Sequence, residues 1–446
     1  LYNRITRIKD VDTAKLLSPI QDVQWNQFRG RYKIAGVSVL DYLALYRKFT
    51  FKEQSSYRLD MIGKLEVDMG KIEYQGNLDD LFRDDIEKFI EYNLNDVKIV
   101  VALDEKLKFL DLVRGICHKG HVPYEDVFFS SRFLEGAILT YTKRLGVVST
   151  NKKHRSLEEV GGRPDKFTGA YVKEPKPGLY RWIYDLDLTS LYPSIIMSLN
   201  IGRETLVGRL VTSDDRDNRL ALNDLKKMDP KDEFEVENLQ RSKKILSVGE
   251  ILALIEQNDL AITANGVMFR TDKPSTLSVV LAQWFDERVV YKNAMKKAYK
   301  AGNKEEGDLN HLRQYTMKIL LNSLYGATAL PTFRYGSVLL SEGITLTGQR
   351  IIQDSGTFIN KTAEETLQTG KDVYEIRTTP RQRYEDCTGV VVYEDTDSCY
   401  VNAEPLLRKL YPDFDDMDET AKADKLEAMS LEYEKKINEY YNHLWM

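Results

Sequence analysis

Cysteine is scarce: Cys117, Cys387 and Cys399 are the only three in 446 residues, and they are scattered. That excludes a disulfide framework and points to a reducing compartment. No run of about 18 apolar residues occurs, so no membrane span is expected. The opening residues carry no signal-peptide pattern. No Gly-x-x-x-x-Gly-Lys-Ser/Thr loop is present, which argues against a P-loop ATPase. Internal repeats and low-complexity tracts are also missing. The net charge of −5 is small and decides nothing about nucleic acid, because local patches set that affinity. CHKGH (117–121) has a faint metal pattern but no second ligand pair, and reads as surface.

What is present supports sizeable cores. Apolar residues make up 42% of the chain, and its length suits two to four domains. Tyrosine is abundant, with 26 residues; such rings suit base and sugar stacking, and they also fill domain seams. The pattern predicts a hairpin around Arg29-Gly30, a core strand from Val37 to Leu40, and a helix after it. Residues 78–108 read as helix, and 109–160 as helix followed by a polar linker. Short strands are expected around GAYVKEPKPGLYRWIYDLDL, and an irregular, exposed excursion over 212–245. Two long helices, 276–300 and 308–326, joined by AGNKEEGDLN, predict an antiparallel helical pair. Strands return over 371–402, and the end of the chain is helical.

Two short stretches carry chemistry. In VYEDTDSCYV (392–401), Asp395 and Asp397 fall one residue apart in a strand-like run, where alternate side chains share a face. Like charges that close repel, so either solvent screens them or a cation sits between them. A second strand-like run, RWIYDLDLTSLYPS (181–194), presents Asp185 and Asp187; Pro193 favours an extended or turn conformation just before it. Either pair alone reads equally as a turn or cap. Together they could share two magnesium ions, which prefer oxygen ligands and serve in-line phosphoryl displacement. On the helical pair, Arg288 and Lys292 are four apart, as are Lys318 and Asn322, with Tyr325 on nearly the same stripe. With the connector centred at 305, Lys292 lies level with Lys318 and Arg288 with Asn322, a patch suited to a triphosphate. Lys296 and Lys300 read as solvated, and Met317, Leu320, Leu321 and Leu324 as core.

DLTSLYPSI (187–195), KILLNSLYG (318–326) and YEDTDS (393–398) resemble, in order, the three polymerase motifs of family B DNA polymerases. FTGAYVKEP (167–175) resembles that family's template-contacting link, and YNLND (92–96) its third exonuclease motif. VSVLDYLALYRKF, GAYVKEP and NSLYGA resemble in particular the replicative polymerases of T-even-type phages. The resemblance implies an α+β fold: a palm with an antiparallel sheet and helices, helical-hairpin fingers, and the C-terminal part of an RNase H-like exonuclease domain before them. The implied division is 1–108 exonuclease part, 109–160 linker, 161–274 palm, 275–330 fingers and 331–446 palm.

It also implies DNA-directed DNA synthesis from dNTP on primer-template DNA. Asp187 and Asp397, with the Leu188 carbonyl, would hold two Mg2+, for which Mn2+ could substitute; Asp395 would contribute more weakly. Leu188, Ser190 and Leu191 would lie beside the triphosphate, and Tyr192 would be a steric gate against a 2′-hydroxyl. Arg288, Lys292, Lys318 and Asn322 would hold the phosphates, and Lys318 could protonate pyrophosphate. Tyr325 and Gly326 would line the base pair. Gly169, Ala170 and Arg29 would contact DNA. Tyr92 and Asp96 would remain from a 3′–5′ exonuclease site, with Asp96 on metal; Asp41, Asp60 and Asp68 do not sit in a matching context to complete it.

Some positions depart from the family pattern. Glu394 stands where the family usually has Gly; it should face away from Asp395 and Asp397, adding a charge that weakens grip on the primer end. Residues 371–390 look like an extra loop, and Asp185 has no assigned role. The chain is expected to lack the thumb and part of the exonuclease site. Three readings stay open: a polymerase, a silent DNA-binding half acting with a second chain, and a nuclease. A sliding clamp and a phage-infected cytoplasm belong to the implied setting.

Overall fold

The computed structural model describes residues 2–27, 30–50, 53–151, 169–211, 221–330, 332–371 and 389–444. Arg29, Cys387 and most of the expected 371–390 loop and 152–160 linker lie outside them. The chain forms two compact units: Leu1–Val148 with Asp286–Leu320, and Ser149–Phe285 with Leu321–Met446.

In the first unit, β1 (Val23–Asn26) pairs antiparallel with β2 (Arg31–Ile34), as the hairpin pattern predicts. The expected strand Val37–Leu40 is irregular, and Val37 and Val39 are 39% and 50% exposed. Among the described residues it has no partner strand, and Asp41 then starts the helix Tyr42–Phe49 by accepting from the Leu43 amide. The predicted 78–108 helix is two. Asn77 and Asp80 form a capping box on Leu78–Asp84, and Asp85 caps α1 (Ile86–Leu107) by accepting from the Lys88 amide. α1 buries Tyr92, Ile99 and Leu103 on one side.

In the second unit, β3 (Ile183–Asp187) leads through Leu188–Ser190 into α2 (Leu191–Ser198). Pro193 does not leave an extended residue before it. It occupies the first turn of α2, where its missing N–H costs nothing, and Tyr192 is helical. The unusual backbone lies one step earlier, at Ser190, with φ 56° and ψ 45°. The expected excursion at 212–245 is overturned over its described part. β4 (Leu206–Val211), β5 (Glu233–Asn238), β6 (Lys243–Ser247), β7 (Leu260–Ile262) and β8 (Val267–Arg270) form an antiparallel sheet in the order β6-β5-β4-β8-β7. EFEVEN alternates charge with apolar bulk, so Phe234 and Val236 pack on the core of Leu210, Ile251 and Met268.

The helical pair is α3 (Thr276–Lys300) and α4 (Lys304–Thr328). Their connector is Ala301–Asn303, turned at Gly302 with φ +74°, because α4 starts at Lys304 and not at Asp308. Contacts follow that shorter turn: the Arg313 guanidinium lies 5.7 Å over the Tyr291 ring, and the Tyr299 hydroxyl donates to Asp308 at 2.7 Å. Counted from this turn, Arg288 and Lys318 sit within about 3 Å of one level, and Lys292 about one turn nearer the tip. The expected level pairs, Lys292 with Lys318 and Arg288 with Asn322, are displaced by the same count. Lys292, Lys296, Lys300 and Lys318 are exposed, while Met317, Leu320, Leu321 and Leu324 are buried, as the pattern predicts.

α5 (Val338–Thr369) ends at Gly370 in the left-handed conformation. β9 (Val391–Asp395) and β10 (Ser398–Asn402) then form a hairpin, and α6 (Glu419–Leu444) follows. The sheet order is β3-β10-β9. Its inner face packs Tyr184, Val391, Cys399 and Val401 on Ile352, Ile359, Tyr433 and Ile437. Residues 171–176 extend this sheet, although the strands expected there reduce to one bridge, Val172 with Asp395. The Lys173 amide donates to the Glu394 carbonyl at 2.9 Å, the Lys176 amide to Val392 at 3.0 Å, and the Thr396 amide to Tyr171 at 2.9 Å.

Candidate active site

The three-stranded sheet sorts its side chains into rows. Across the strands, Asp187 pairs with Ser398 and Ser398 with Asp395; the next outward row is Asp185, Tyr400 and Tyr393. The row between them, Leu186, Cys399 and Glu394, faces inward. Strand alternation therefore puts Asp185 and Asp187 on one face, as expected. It does not put Asp395 and Asp397 on successive same-face positions of one strand. β9 ends at Asp395, and Thr396 (φ 56°) and Asp397 make the turn. The Asp397 amide donates to the Asp395 carbonyl at 2.5 Å. The turn still gathers the charges. The Leu188 amide donates to the Asp397 carbonyl at 2.7 Å, tying the loop after β3 to the hairpin.

Electrostatics follow from this crowding. Burial first, then Asp187, Asp395 and Asp185, push the Asp397 carboxyl above the usual carboxylate range, against its own backbone hydrogen bond. Burial and Asp187 raise Asp185 in the same way. Asp395 is held by the Tyr393 hydroxyl at 3.3 Å and the Thr396 hydroxyl at 2.9 Å. Among the described residues, no three His, Cys, Asp or Glu side chains form a ready metal cage. A divalent cation such as magnesium needs only one or two carboxylates, with carbonyl, water and phosphate oxygens completing its shell. Asp187, Asp397 and the Leu188 carbonyl fit that donor set, and a cation there relieves the repulsion that raises Asp397. Beside it, Asp185, Asp187, Leu188, Ile195, Ile351 and Tyr441 line part of a cavity of about 870 Å3.

Tyr192 stacks on Tyr325 with ring centroids 4.3 Å apart. Burial, Tyr325, Asp397 and Asp395 all raise its phenol, so it stays neutral. Gly348 leaves its ring room: a Cβ there would come within 2.9 Å of the Tyr192 ring. Leu191 is buried, Ser190 half-buried, and Gly326 and Asn322 exposed. Burial pulls the Arg288 guanidinium below its ordinary value. Gly169 and Ala170 are exposed, and the Gly169 carbonyl accepts from Gln349 on α5.

In the first unit, Tyr92 and Asp96 do share one face of α1. A residue without any sequence signal joins them: Lys71 Nζ donates to the Tyr92 hydroxyl at 2.7 Å and to Asp96 Oδ2 at 2.8 Å. Burial pulls the Lys71 ammonium down, but Asp96 and Tyr92 outweigh it and raise it. Lys71 takes Asp96 Oδ2 and leaves Oδ1 as the oxygen through which Asp96 could meet a cation. Asp60 accepts from the Lys71 amide at 2.8 Å, and Asp41 and Asp68 sit at helix ends. CHKGH is surface only in part: His118 and His121 are exposed as expected, but Cys117 is buried, and its thiol donates towards the Pro123 carbonyl at 3.6 Å.

Glu394 is the second residue whose setting is tertiary. It faces inward as expected, but it is 3% exposed, so it presents no charge to solvent. Burial raises its carboxyl, opposed by Lys173.

Comparison with known proteins gives the family. The sequence profile described as DNA polymerase family B matches residues 129–435. The DNA-directed DNA polymerase of Escherichia phage RB69 is 28% identical over 441 residues, covering 92% of this chain and 46% of that protein. That of Enterobacteria phage T4 is 26% identical, with 92% and 46% covered. A solved family B DNA polymerase from Pyrobaculum calidifontis superposes with a TM-score of 0.55 at 19% identity, over 93% of this chain and 45% of that one. The chain thus spans about half the length of the curated relatives it matches. The profile match covers well over half of the chain, and by it this chain belongs to DNA polymerase family B.

Proposed function

We propose that this chain carries the nucleotide-adding centre of a DNA-directed DNA polymerase, with primer-template DNA and dNTP as substrates. One observation supports this most: β3 and the β9–β10 turn, tied by the Leu188 amide to the Asp397 carbonyl, bring Asp187 and Asp397 together, and burial first, then Asp187, raises Asp397. Asp187, Asp397 and the Leu188 carbonyl would hold divalent cations, which when bound supply Lewis-acid activation of the primer hydroxyl and charge neutralisation on the phosphates. In the reaction the primer 3′-oxygen bonds to the α-phosphorus, the bond to the β-phosphate oxygen breaks, and pyrophosphate leaves. Arg288, Lys292, Lys318 and Asn322 would bind the triphosphate, and Lys318 would give the leaving group its proton. The neutral Tyr192, braced by Tyr325, would close on the sugar and exclude a 2′-hydroxyl. Ser190 and Leu191 would flank the triphosphate, Asp395 would assist the metal ligands, Tyr325 and Gly326 would line the base pair, and Gly169, Ala170 and Arg29 would meet DNA. The five-part division expected from the family follows with this reading.

Tyr92 and Asp96 belong to the exonuclease part in this reading, and no hydrolytic step is derived from them. A sliding clamp and a phage-infected cytoplasm belong to the same reading. The alternative reading is a silent DNA-binding chain that acts with a second chain.

The test is single-nucleotide primer extension by the purified chain beside Asp397→Ala. Extension that vanishes in the variant supports the first reading. Binding of primed DNA without extension supports the second, and extension that survives Asp397→Ala overturns the metal assignment. Tyr192→Ala is expected to admit ribonucleotides by about a hundredfold over wild type; unchanged sugar selection removes Tyr192 as the gate.

A further inference from the structure

Glu394 is a buried carboxylate one residue before Asp395, and nothing above uses it. Three elements meet at it. Across the hairpin it pairs with Cys399, whose thiol donates towards Oε1 at 3.9 Å. From α5, Gly356 lies directly beneath it: a Cβ at Gly356 would stand 1.7 Å from Glu394 Oε1. The carboxylate fills the space a side chain at 356 would need. From the edge segment, Lys173 reaches it twice, through its amide to the Glu394 carbonyl at 2.9 Å and through Nζ to Oε2 at 3.7 Å. The same segment holds β9 at both ends. The Tyr171 carbonyl accepts from Thr396, and Lys176 Nζ donates to the Gly389 carbonyl at 2.9 Å.

This arrangement couples two things that are separate in sequence. On its outer side, away from β3 and the Leu188 amide, the turn that presents Asp397 is held by the Thr396 amide and the Asp395 bridge to Val172. Those bonds hold only while residues 171–176 lie against β9. The backbone bonds there are an exposed edge pairing, and such pairings open easily. A paired charge buried behind them, with no room to move because Gly356 is close, fixes the segment in one register.

We propose that the Lys173–Glu394 ion pair, seated over Gly356, is a positioning device that fastens the 171–176 segment to β9 and thereby sets the Asp395–Asp397 turn for cation binding. The proposal rests on the metal assignment given above for Asp187 and Asp397. Glu394 and Lys173 are positioning residues; neither is expected to touch substrate.

The experiment uses the full chain and Mn2+ alone, with binding read by electron paramagnetic resonance and folding by thermal melting. Asp397→Ala defines the site by the binding it removes. Glu394→Gln and Lys173→Met are each expected to weaken that binding about tenfold, the usual effect of losing an outer partner of a metal ligand. The double variant is expected to be no weaker than the worse single one, because both break one pair. Lys173→Arg should keep wild-type affinity, and Gly356→Ala should weaken binding by displacing the carboxylate. Hydrogen exchange over 391–398 should quicken in Glu394→Gln and Lys173→Met alike. Unchanged Mn2+ affinity and exchange in folded Lys173→Met, a change at a partly exposed site, would overturn the proposal while leaving the metal assignment intact. Binding that Asp397→Ala leaves untouched would instead sink the metal assignment, and this proposal with it.

Discussion

At the β9–β10 turn, burial first, and then Asp187, Asp395 and Asp185, raise the Asp397 carboxyl. On α1, Asp96 meets the opposite condition: Lys71 supplies a cation at 2.8 Å and shares it with Tyr92. The first site is built unstable towards its own charge, and the second is already neutralised. Crowded like charges store a free energy that a bound cation releases, whereas an internal ion pair leaves a cation little to gain. The difference separates the proposed metal ligand Asp397 from Asp96, which was also expected on metal and whose Oδ2 is paired with Lys71.

The largest expected effect breaks the first half of this contrast. Asp397→Ala should lower nucleotide addition about a thousandfold, roughly 4 kcal/mol of barrier, while the melting temperature stays level or rises. A small loss of rate in a folded variant would show that the crowded carboxylates are not the reacting site. A smaller effect tests the second half. Lys71→Met should cost about 1 kcal/mol of stability in urea melts, since both partners are about one-third exposed or less and the pair is only partly shielded. No loss would mean that Lys71 does not balance Asp96.

The smallest effect concerns pH. Asp397 has its pKa raised in the folded chain, so the stability it contributes is fully present below the ordinary carboxylate range. It is lost as pH rises through the raised folded value. Urea melts of the metal-free chain from acid to neutral pH should therefore slope less in Asp397→Asn than in wild type. Equal slopes would remove the like-charge account, and Mg2+ should flatten the wild-type slope from the same cause.

Much of this was legible in the chain. DLDL presents Asp185 and Asp187 on one face as expected, because strand alternation is local, whereas YEDTDS departs from it: β9 ends at Asp395 and Asp397 lies in the turn. The buried stripe of α4 followed from its period. The failures are equally specific. EFEVEN was taken as exposed because its charges dominate, although its alternation was a strand signal. The α3–α4 register slipped because a polar, glycine-containing run could continue as helix as easily as loop. Val37–Leu40 is apolar and short, and whether it becomes strand depends on a neighbouring strand that the described residues do not supply.

The sequence by itself determined the ordered motifs, the alternation that sets Asp185 and Asp187 on one face, and the helical stripes of the long pair, all of which depend on residues a few positions apart. Only the tertiary structure decided that Lys71 neutralises Asp96, that Tyr192 rests on Tyr325, and that Glu394 is enclosed by Lys173, Cys399 and Gly356. The reason is physical. Electrostatic energy and excluded volume depend on distance in space, and the Lys173–Glu394 pair closes a separation of more than two hundred residues that no local pattern encodes.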